Sequence, residues 1–312
     1  MSTPHPGQAL EYARVDVFAE APLEGNSLAI FTDARGLTAD QMQALAREMN
    51  LPETTFILPA YDPWQEFLHG VRVRIFTTQE ELPFAGHPTL GTAAWLHWNH
   101  PTLRSHESVT LKLNAGPITV NFLPAEEGEA GSFGTGTFGT MRQRDPTFGT
   151  VHSHEEISRI IGVPLADIDP DLPVQTVSTG LPFCIVPLRS MEAIGRLAIP
   201  QAAAQAYLAA TDAKFFYCTT PAEAGSGADY HARMQFYNGE DPATGSASGC
   251  AISYLVRYGR VASGHPTVFE QGIEMRRPSR IHVHATLADE KVTEVFVGGR
   301  TIGVASGRFF LC

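Results

Sequence analysis

Two stretches far apart in the chain carry one pattern, and that duplication limits the available folds more than any other feature. Set His87-Pro88-Thr89-Leu90-Gly91-Thr92-Ala93 over Asp241-Pro242-Ala243-Thr244-Gly245-Ser246-Ala247. Proline, glycine, a small hydroxyl residue and alanine fall in the same columns, while the polar head differs. A proline just after a polar residue suits a first helical position, which places His87 and Asp241 near helix N-caps. Aspartate caps well and histidine poorly, so His87 is read as having another task. The residues that follow, TLGTAAWL and ATGSASGCAISYL, are apolar or small on every side. A helix without a polar face belongs inside a protein. The expected architecture is a helix threaded through a curled sheet, made twice. The free N–H groups at such helix starts, with the helix dipole, form an anion site, and two of them facing one cleft would hold a carboxylated small molecule. On these residues alone, a pair of buried, capped helices with no ligand stays open as the other reading.

The rest of the chain supports a duplication. EYARVDVFAE, SLAIFTDA, TTFILPA and VRVRIFTT have strand composition, and VTLKLNAGPITVNFL reads as a hairpin turning at Asn114-Ala115-Gly116-Pro117. Thr38 and Gln41 have capping-box spacing ahead of the apolar face Met42, Leu45, Ala46 and Met49. Residues 124–139 have linker composition. Beyond them the pattern restarts with the strand GTMRQR. Ser153 and Glu156 again have capping-box spacing, followed by the stripe Ile157, Ile160 and Ile161 and the strand TGLPFCIVPL. That order sets the second helix over the first and TGLPFCIVPL over TTFILPA. Strands that pair mostly as neighbours suggest antiparallel sheet in an α+β protein. One half is expected to span 11–125 with a C-terminal strand 298–312, and the other 126–297. Residues 1–10 read as a loose polar tail.

A net charge of −11 argues against nucleic acid and anionic membrane surfaces as partners. No apolar run approaches the ~20 residues that span a bilayer. The start lacks a secretory pattern, so a cytoplasmic setting is expected. Cys184, Cys218, Cys250 and Cys312 have no metal-ligand spacing and read as buried reduced thiols. The pairs His152/His154 and His282/His284 lack a third ligand, so no metal is expected and exposed strand or turn histidines are the reading. GTGTFG at 134–139 fits G-x-G-x-x-G but precedes TMRQRDP, a poor helix start, and so reads as a loop rather than a dinucleotide site.

The blocks VDVFAEAPLEGNSLAIF, LAREMNLPETTFIL, VRIFTTQEELPFAGHPTLGTA, EDPATGSASG and QGIEMRRPSR, in this order, resemble the PhzF-like isomerases of phenazine biosynthesis. The resemblance covers nearly the whole chain. It implies the diaminopimelate epimerase-like fold: two pseudosymmetric halves, each a curled antiparallel sheet around a central helix, with the active site between them. It implies no cofactor, a homodimer, and Glu53 as general acid/base. It further implies Gly86, His87, Asp241, Gly245 and Ser246 as substrate-binding residues. A carboxyl that takes and returns a proton fits such chemistry, since an apolar cleft raises its pKa towards the working pH. The cysteines of the proline racemase pattern are replaced by Ala85 and Ala243, which disfavours a two-cysteine racemase. Ser27 stands where GNP is common, and Tyr237-Asn238-Gly239 is a short connection before EDPATGSA.

The leading expectation is therefore a cofactor-independent isomerase of a small carboxylated metabolite. Glu53 shuttles the proton, His87 and Asp241 orient polar groups, and Gly245 with Ser246 receives the carboxylate. A racemase or epimerase would need a second base, for which Asp241 is the only candidate. A non-catalytic metabolite-binding protein is the third reading, and the presence of Glu53, His87 and Asp241 together favours an enzyme over it.

Overall fold

The computed structural model describes residues 8–123, 132–237 and 239–311. Most of the expected tail, part of the 124–139 linker, Asn238 and Cys312 lie outside the described residues. Contacts divide the chain into two compact units, Met1–Met141 with Gly299–Cys312, and Arg142–Gly298.

The first unit holds β1 (Gln8–Val17), β2 (Asn26–Phe31), α1 (Ala39–Met49), β3 (Glu53–Leu58), α2 (Pro63–His69), β4 (Val71–Thr77), β5 (Glu81–Leu82), α3 (Gly86–Asn99), β6 (Ser108–Leu113) and β7 (Gly116–Phe122). Strand β8 (Thr137–Arg142) then leads into the second unit. There follow β9 (Thr147–His152), α4 (His154–Ile161), β10 (Val174–Ser178), β11 (Pro182–Pro187), α5 (Met191–Gly195) and α6 (Gln201–Ala209). After these come β12 (Phe215–Pro221), β13 (Tyr230–Phe236), β14 (Gly239–Asp241), α7 (Gly245–Arg257), β15 (Thr267–Gln271) and β16 (Ser279–Ala288). The last strand, β17 (Lys291–Leu311), returns to pair antiparallel with β1.

One plan of strand pairing serves both units. In the first, β1–β2, β3–β4, β4–β5 and β6–β7 are antiparallel, while β2–β3 and β4–β6 are parallel. In the second, β10–β11, β12–β13, β13–β14 and β15–β16 are antiparallel, while β11–β12 and β13–β15 are parallel. Each parallel pair needs a crossover, and each crossover contains helix: α1 and α3 in one unit, α5 with α6 and α7 in the other. The largely antiparallel sheet expected from the sequence thus carries two parallel pairs per unit.

This plan corrects the internal alignment. Helix α4 precedes β10 and has no counterpart in the first unit, so the partner of α1 is α5 with α6, and the partner of β3 is β12. Spacing misled because a short amphipathic helix followed by an apolar strand occurs twice in the second unit. The capping box of α1 is complete, with Thr38 and Gln41 each bonding the other's backbone. Ser153 of α4 instead accepts from the Glu156 N–H while its hydroxyl donates to Glu155.

Each unit has two packing layers. On one face of the first sheet, α1 packs Met42, Leu45 and Ala46 against Phe31, Phe56 and Phe76. On the other face lies α3, buried on all sides over His87–Ala94 and in contact with β1, β2, β3, β6 and β7. Gly91 makes that contact possible, because a Cβ there would lie 2.7 Å from Leu28 Cδ2 and 2.9 Å from Val17 Cγ2. In the second unit α4, α5 and α6 cover Cys184, Val186, Phe216 and Cys218, and α7 fills the opposite face. Cys184, Cys218 and Cys250 are free and buried, as expected, and burial pushes the thiols of Cys218 and Cys250 up to about 12 and about 11. His152, expected to be exposed, is buried between the hydroxyls of Tyr207 and Thr176. Gly134 and Gly136 lie in a turn that enters strand β8 rather than a helix. Among the described residues no helix is long and apolar enough to cross a membrane.

Candidate active site

Alternation along β3 decides where Glu53 faces. Phe56 lies in the α1 layer, so Glu53 and Thr55 point to the α3 face. Thr55 confirms this, sharing a hydrogen bond with Thr92 of α3 at 2.9 Å. Glu53 Oε2 comes within 3.5 Å of His87 Nε2, with the two side chains 18% and 6% exposed. A carboxyl reachable from outside but walled by a buried imidazole is a sound place for a group that exchanges protons.

The backbone sets the form of His87. The Ser27 carbonyl of β2 accepts a hydrogen bond from its ring, while Nε2 has no hydrogen-bond partner among the described residues. The proton therefore sits on Nδ1, and Nε2 presents a lone pair towards Glu53. Burial pushes the imidazole down to about 3, only partly opposed by the Ser27 carbonyl, so the ring is neutral at ordinary pH. A neutral Nε2 is an acceptor. It can take an O–H, from a protonated Glu53 or from a ligand hydroxyl. Ser27 is held in turn by its hydroxyl, which donates to buried Asp16 at 2.8 Å and accepts from Arg14 at 3.2 Å.

The helix caps differ from expectation. Helix α3 starts at Gly86 with Ala85 as N-cap, so His87 is the second helical residue and Pro88 the third. Helix α7 starts at Gly245 with Thr244 as N-cap, and Asp241 ends the short strand β14 before it. Aligning on proline put His87 over Asp241. The structure instead sets Glu81 over Glu240, because each closes a bidentate ion pair seven residues after its arginine. Arg74 donates to Glu81 at 2.7 and 2.6 Å, and Arg233 to Glu240 at 2.7 Å twice. The shared motif is R-x6-E-x-P-x-x-G, ending at Gly86 and Gly245. In this frame His87 matches Ser246, and Asp241 matches Leu82. The arginine anchors also match Phe56 with Cys218 by strand register, so the place of Glu53 is taken by Phe215. One unit carries the carboxyl and imidazole; the other carries a phenyl ring and a hydroxyl at the same positions.

Sequence reasoning missed what holds the start of α7. Gln271, fully buried at the end of β15, donates to the Asp241 carbonyl at 2.7 Å and to the Thr244 hydroxyl at 2.9 Å. Its carbonyl oxygen accepts from the Thr244 N–H and the Tyr217 hydroxyl, both at 3.2 Å. The Thr244 hydroxyl then donates to Asp241 Oδ2 at 2.6 Å. One amide side chain thus fixes both the turn and the orientation of the Asp241 carboxylate. Gln143 extends the support, donating to the Gly245 carbonyl at 3.2 Å while taking the Thr179 hydroxyl. The helix ladder opens with the bond from the Ser248 N–H to the Thr244 carbonyl, so the N–H groups of Gly245, Ser246 and Ala247 precede it. Gly245 is buried and Ser246 half-buried. The arrangement suits a carboxylate.

The family profile described as phenazine biosynthesis-like protein (PhzC-PhzF) matches residues 15–307. The chain belongs to this family. It is 34% identical over 300 residues to a trans-2,3-dihydro-3-hydroxyanthranilate isomerase of Pseudomonas fluorescens, covering 95% of this chain and 97% of the relative. A crystal structure of a Bacillus anthracis phenazine biosynthesis protein of the PhzF family superposes with a TM-score of 0.84 at 26% identity, covering 97% of this chain and all of the other. A structure described as a predicted epimerase of Pseudomonas aeruginosa superposes with a TM-score of 0.79 at 35% identity, with the same coverage. The protein is a PhzF-family isomerase with the mixed α+β, diaminopimelate epimerase-like fold. Among the described residues no group of three or more histidine, cysteine or acidic side chains is arranged to hold a metal.

Proposed function

We propose that this PhzF-family protein moves a proton within a small, carboxylated, unsaturated or cyclic metabolite of the dihydro-hydroxyanthranilate type, without a cofactor. The observation that carries this reading is the approach of Glu53 Oε2 to the neutral Nε2 of His87 at 3.5 Å. The Glu53 carboxylate takes a proton from one carbon of the substrate. The C–H electron pair moves into the adjacent unsaturated system, and Glu53 returns the proton to a second carbon. Atoms and electrons balance within one molecule, so no external oxidant or hydride donor enters. While Glu53 holds the proton, Nε2 of His87 accepts its O–H and keeps the acid aimed.

The substrate-binding roles complete the proposal. Asp241, oriented by Thr244 and Gln271, accepts from a substrate N–H or O–H. The N–H groups of Gly245 and Ser246 and the Ser246 hydroxyl receive the carboxylate, and Gly86 supplies the N–H at the start of α3. The homodimer implied by the resemblance and the cytoplasmic setting expected from the sequence belong to the same proposal, and sedimentation at twice the 33.8 kDa chain mass would support the first.

Epimerisation is the competing chemistry, and it needs a base on each face of one carbon. The place that repeats Glu53 holds Phe215, which favours one base acting twice. The direct test is Glu53→Gln. Conversion of trans-2,3-dihydro-3-hydroxyanthranilate should fall by roughly 10²–10⁴ with the Tm unchanged. Full activity in this variant would sink the assignment.

A further inference from the structure

The internal repeat leaves Phe215 where its counterpart carries the acid/base carboxyl. Alternation on β12 puts Phe216 and Cys218 in the α4–α6 layer, and therefore Phe215 and Tyr217 on the face of α7. Tyr217 shows this directly, since its hydroxyl meets Ser248 of α7 at 2.9 Å. On β13, Arg233 and Gln235 bond carbonyls of the α5 segment, which leaves Met234 and Phe236 on the α7 face. Phe215 and Phe236 meet edge to face with centroids 6.1 Å apart, and neither is fully buried. Phe236 pairs in register with Gly239, and Met234 with Asp241. Alternate residues of a strand share a face at a spacing of roughly 7 Å. The two rings thus stand one step along the sheet from the Asp241 carboxylate, on its side. They also border a cavity of about 350 Å³ whose remaining lining comes mainly from α6 and the approach to β12, Gln201, Leu208 and Asp212 among it.

We infer that Phe215 and Phe236 form the apolar wall on which the ring of the substrate rests, and that they select cyclic, flat carboxylates over open-chain ones. This rests on the isomerase reading, with Asp241 binding a polar substituent of the same ring. A scaffold made twice has kept its proton-transfer group in one copy and turned the repeated position into a platform in the other. Aromatic rings favour offset or edge contact with a flat ligand, whereas a branched aliphatic of similar size does not.

The test compares wild type with Phe215→Leu and Phe236→Leu, two conservative variants whose folding is checked by Tm. Affinity for 3-hydroxyanthranilate is measured by calorimetry and that for itaconate serves as the open-chain control. Turnover of trans-2,3-dihydro-3-hydroxyanthranilate is followed alongside. The wall predicts about three- to tenfold weaker 3-hydroxyanthranilate binding and a higher KM, with kcat and itaconate affinity unchanged within twofold. If both variants bind and turn over as wild type does, the wall falls while the isomerase reading stands. If wild type binds 3-hydroxyanthranilate and the variants bind it less, yet nothing is turned over, the wall stands and the reaction assignment falls. If wild type does not bind 3-hydroxyanthranilate, the inference is overturned.

Discussion

His87 should make the first unit acid-sensitive, and the size of the effect follows from its surroundings. The ring is buried, bonded through Nδ1–H to the Ser27 carbonyl, and pushed from 6.5 down to about 3. Between these values the unfolded chain binds a proton at this residue and the folded chain does not. Stability therefore falls as pH drops below about 6.5, at about 1.4 kcal/mol per pH unit, until the folded-state ring titrates near pH 3. Over the whole window the loss comes to about 5 kcal/mol. Between pH 6.5 and 4.5 it is about 2 kcal/mol, because the unfolded-state ring is only half protonated at the upper limit. His87→Asn removes the titration while leaving an amide N–H that can donate to the Ser27 carbonyl. Other titrating groups are common to both proteins and cancel in the difference. All three tryptophans, Trp64, Trp95 and Trp98, belong to the first unit, and two lie on α3 itself. Urea unfolding followed by tryptophan fluorescence thus reports the unit in question. The variant should lose about 2 kcal/mol less than wild type between pH 6.5 and 4.5. Parallel stability curves would refute a neutral, buried His87 and with it the acceptor role assigned to Nε2.

Two further changes probe the helix starts. Gln271→Ala strips four hydrogen bonds from a buried site and leaves the Thr244 N–H unpaired, so it should cost roughly 2–5 kcal/mol in denaturant unfolding and raise KM. An unchanged KM would show that Gln271 does not orient Asp241. Gly91→Ala should lower the Tm, because overpacking against Leu28 and Val17 costs about 1–3 kcal/mol and outweighs the roughly 1 kcal/mol helix preference of alanine. A rise in Tm would mean that β1 and β2 yield to α3 more readily than their packing indicates.

The two buried helices could be read from sequence because each lacks a polar face and begins with small residues, a pattern that survives whatever surrounds it. The register of the repeat could not be read the same way. Proline at 88 and at 242 gave a persuasive column, yet one sits inside a helix and the other before it. The informative signal was longer, since only R-x6-E-x-P-x-x-G aligns both helix starts. Recognising it required knowing that each arginine and glutamate close one ion pair across a hairpin. Glu53 was named from the family block, and its approach to His87 depends on strand alternation that the letters ETTFIL only half reveal. Gln271 lay beyond sequence reasoning. It caps α7 from a strand 27 residues away, and nothing local marks a glutamine as a cap.

Proton NMR in heavy water tests the proton shuttle most directly. Native protein incubated with trans-2,3-dihydro-3-hydroxyanthranilate should convert it and place deuterium on the carbon that receives the proton from Glu53. Glu53→Gln, equally folded, should leave the substrate unlabelled. Label appearing in the Glu53→Gln protein at the native rate would contradict the account, as would native protein that leaves the substrate unchanged.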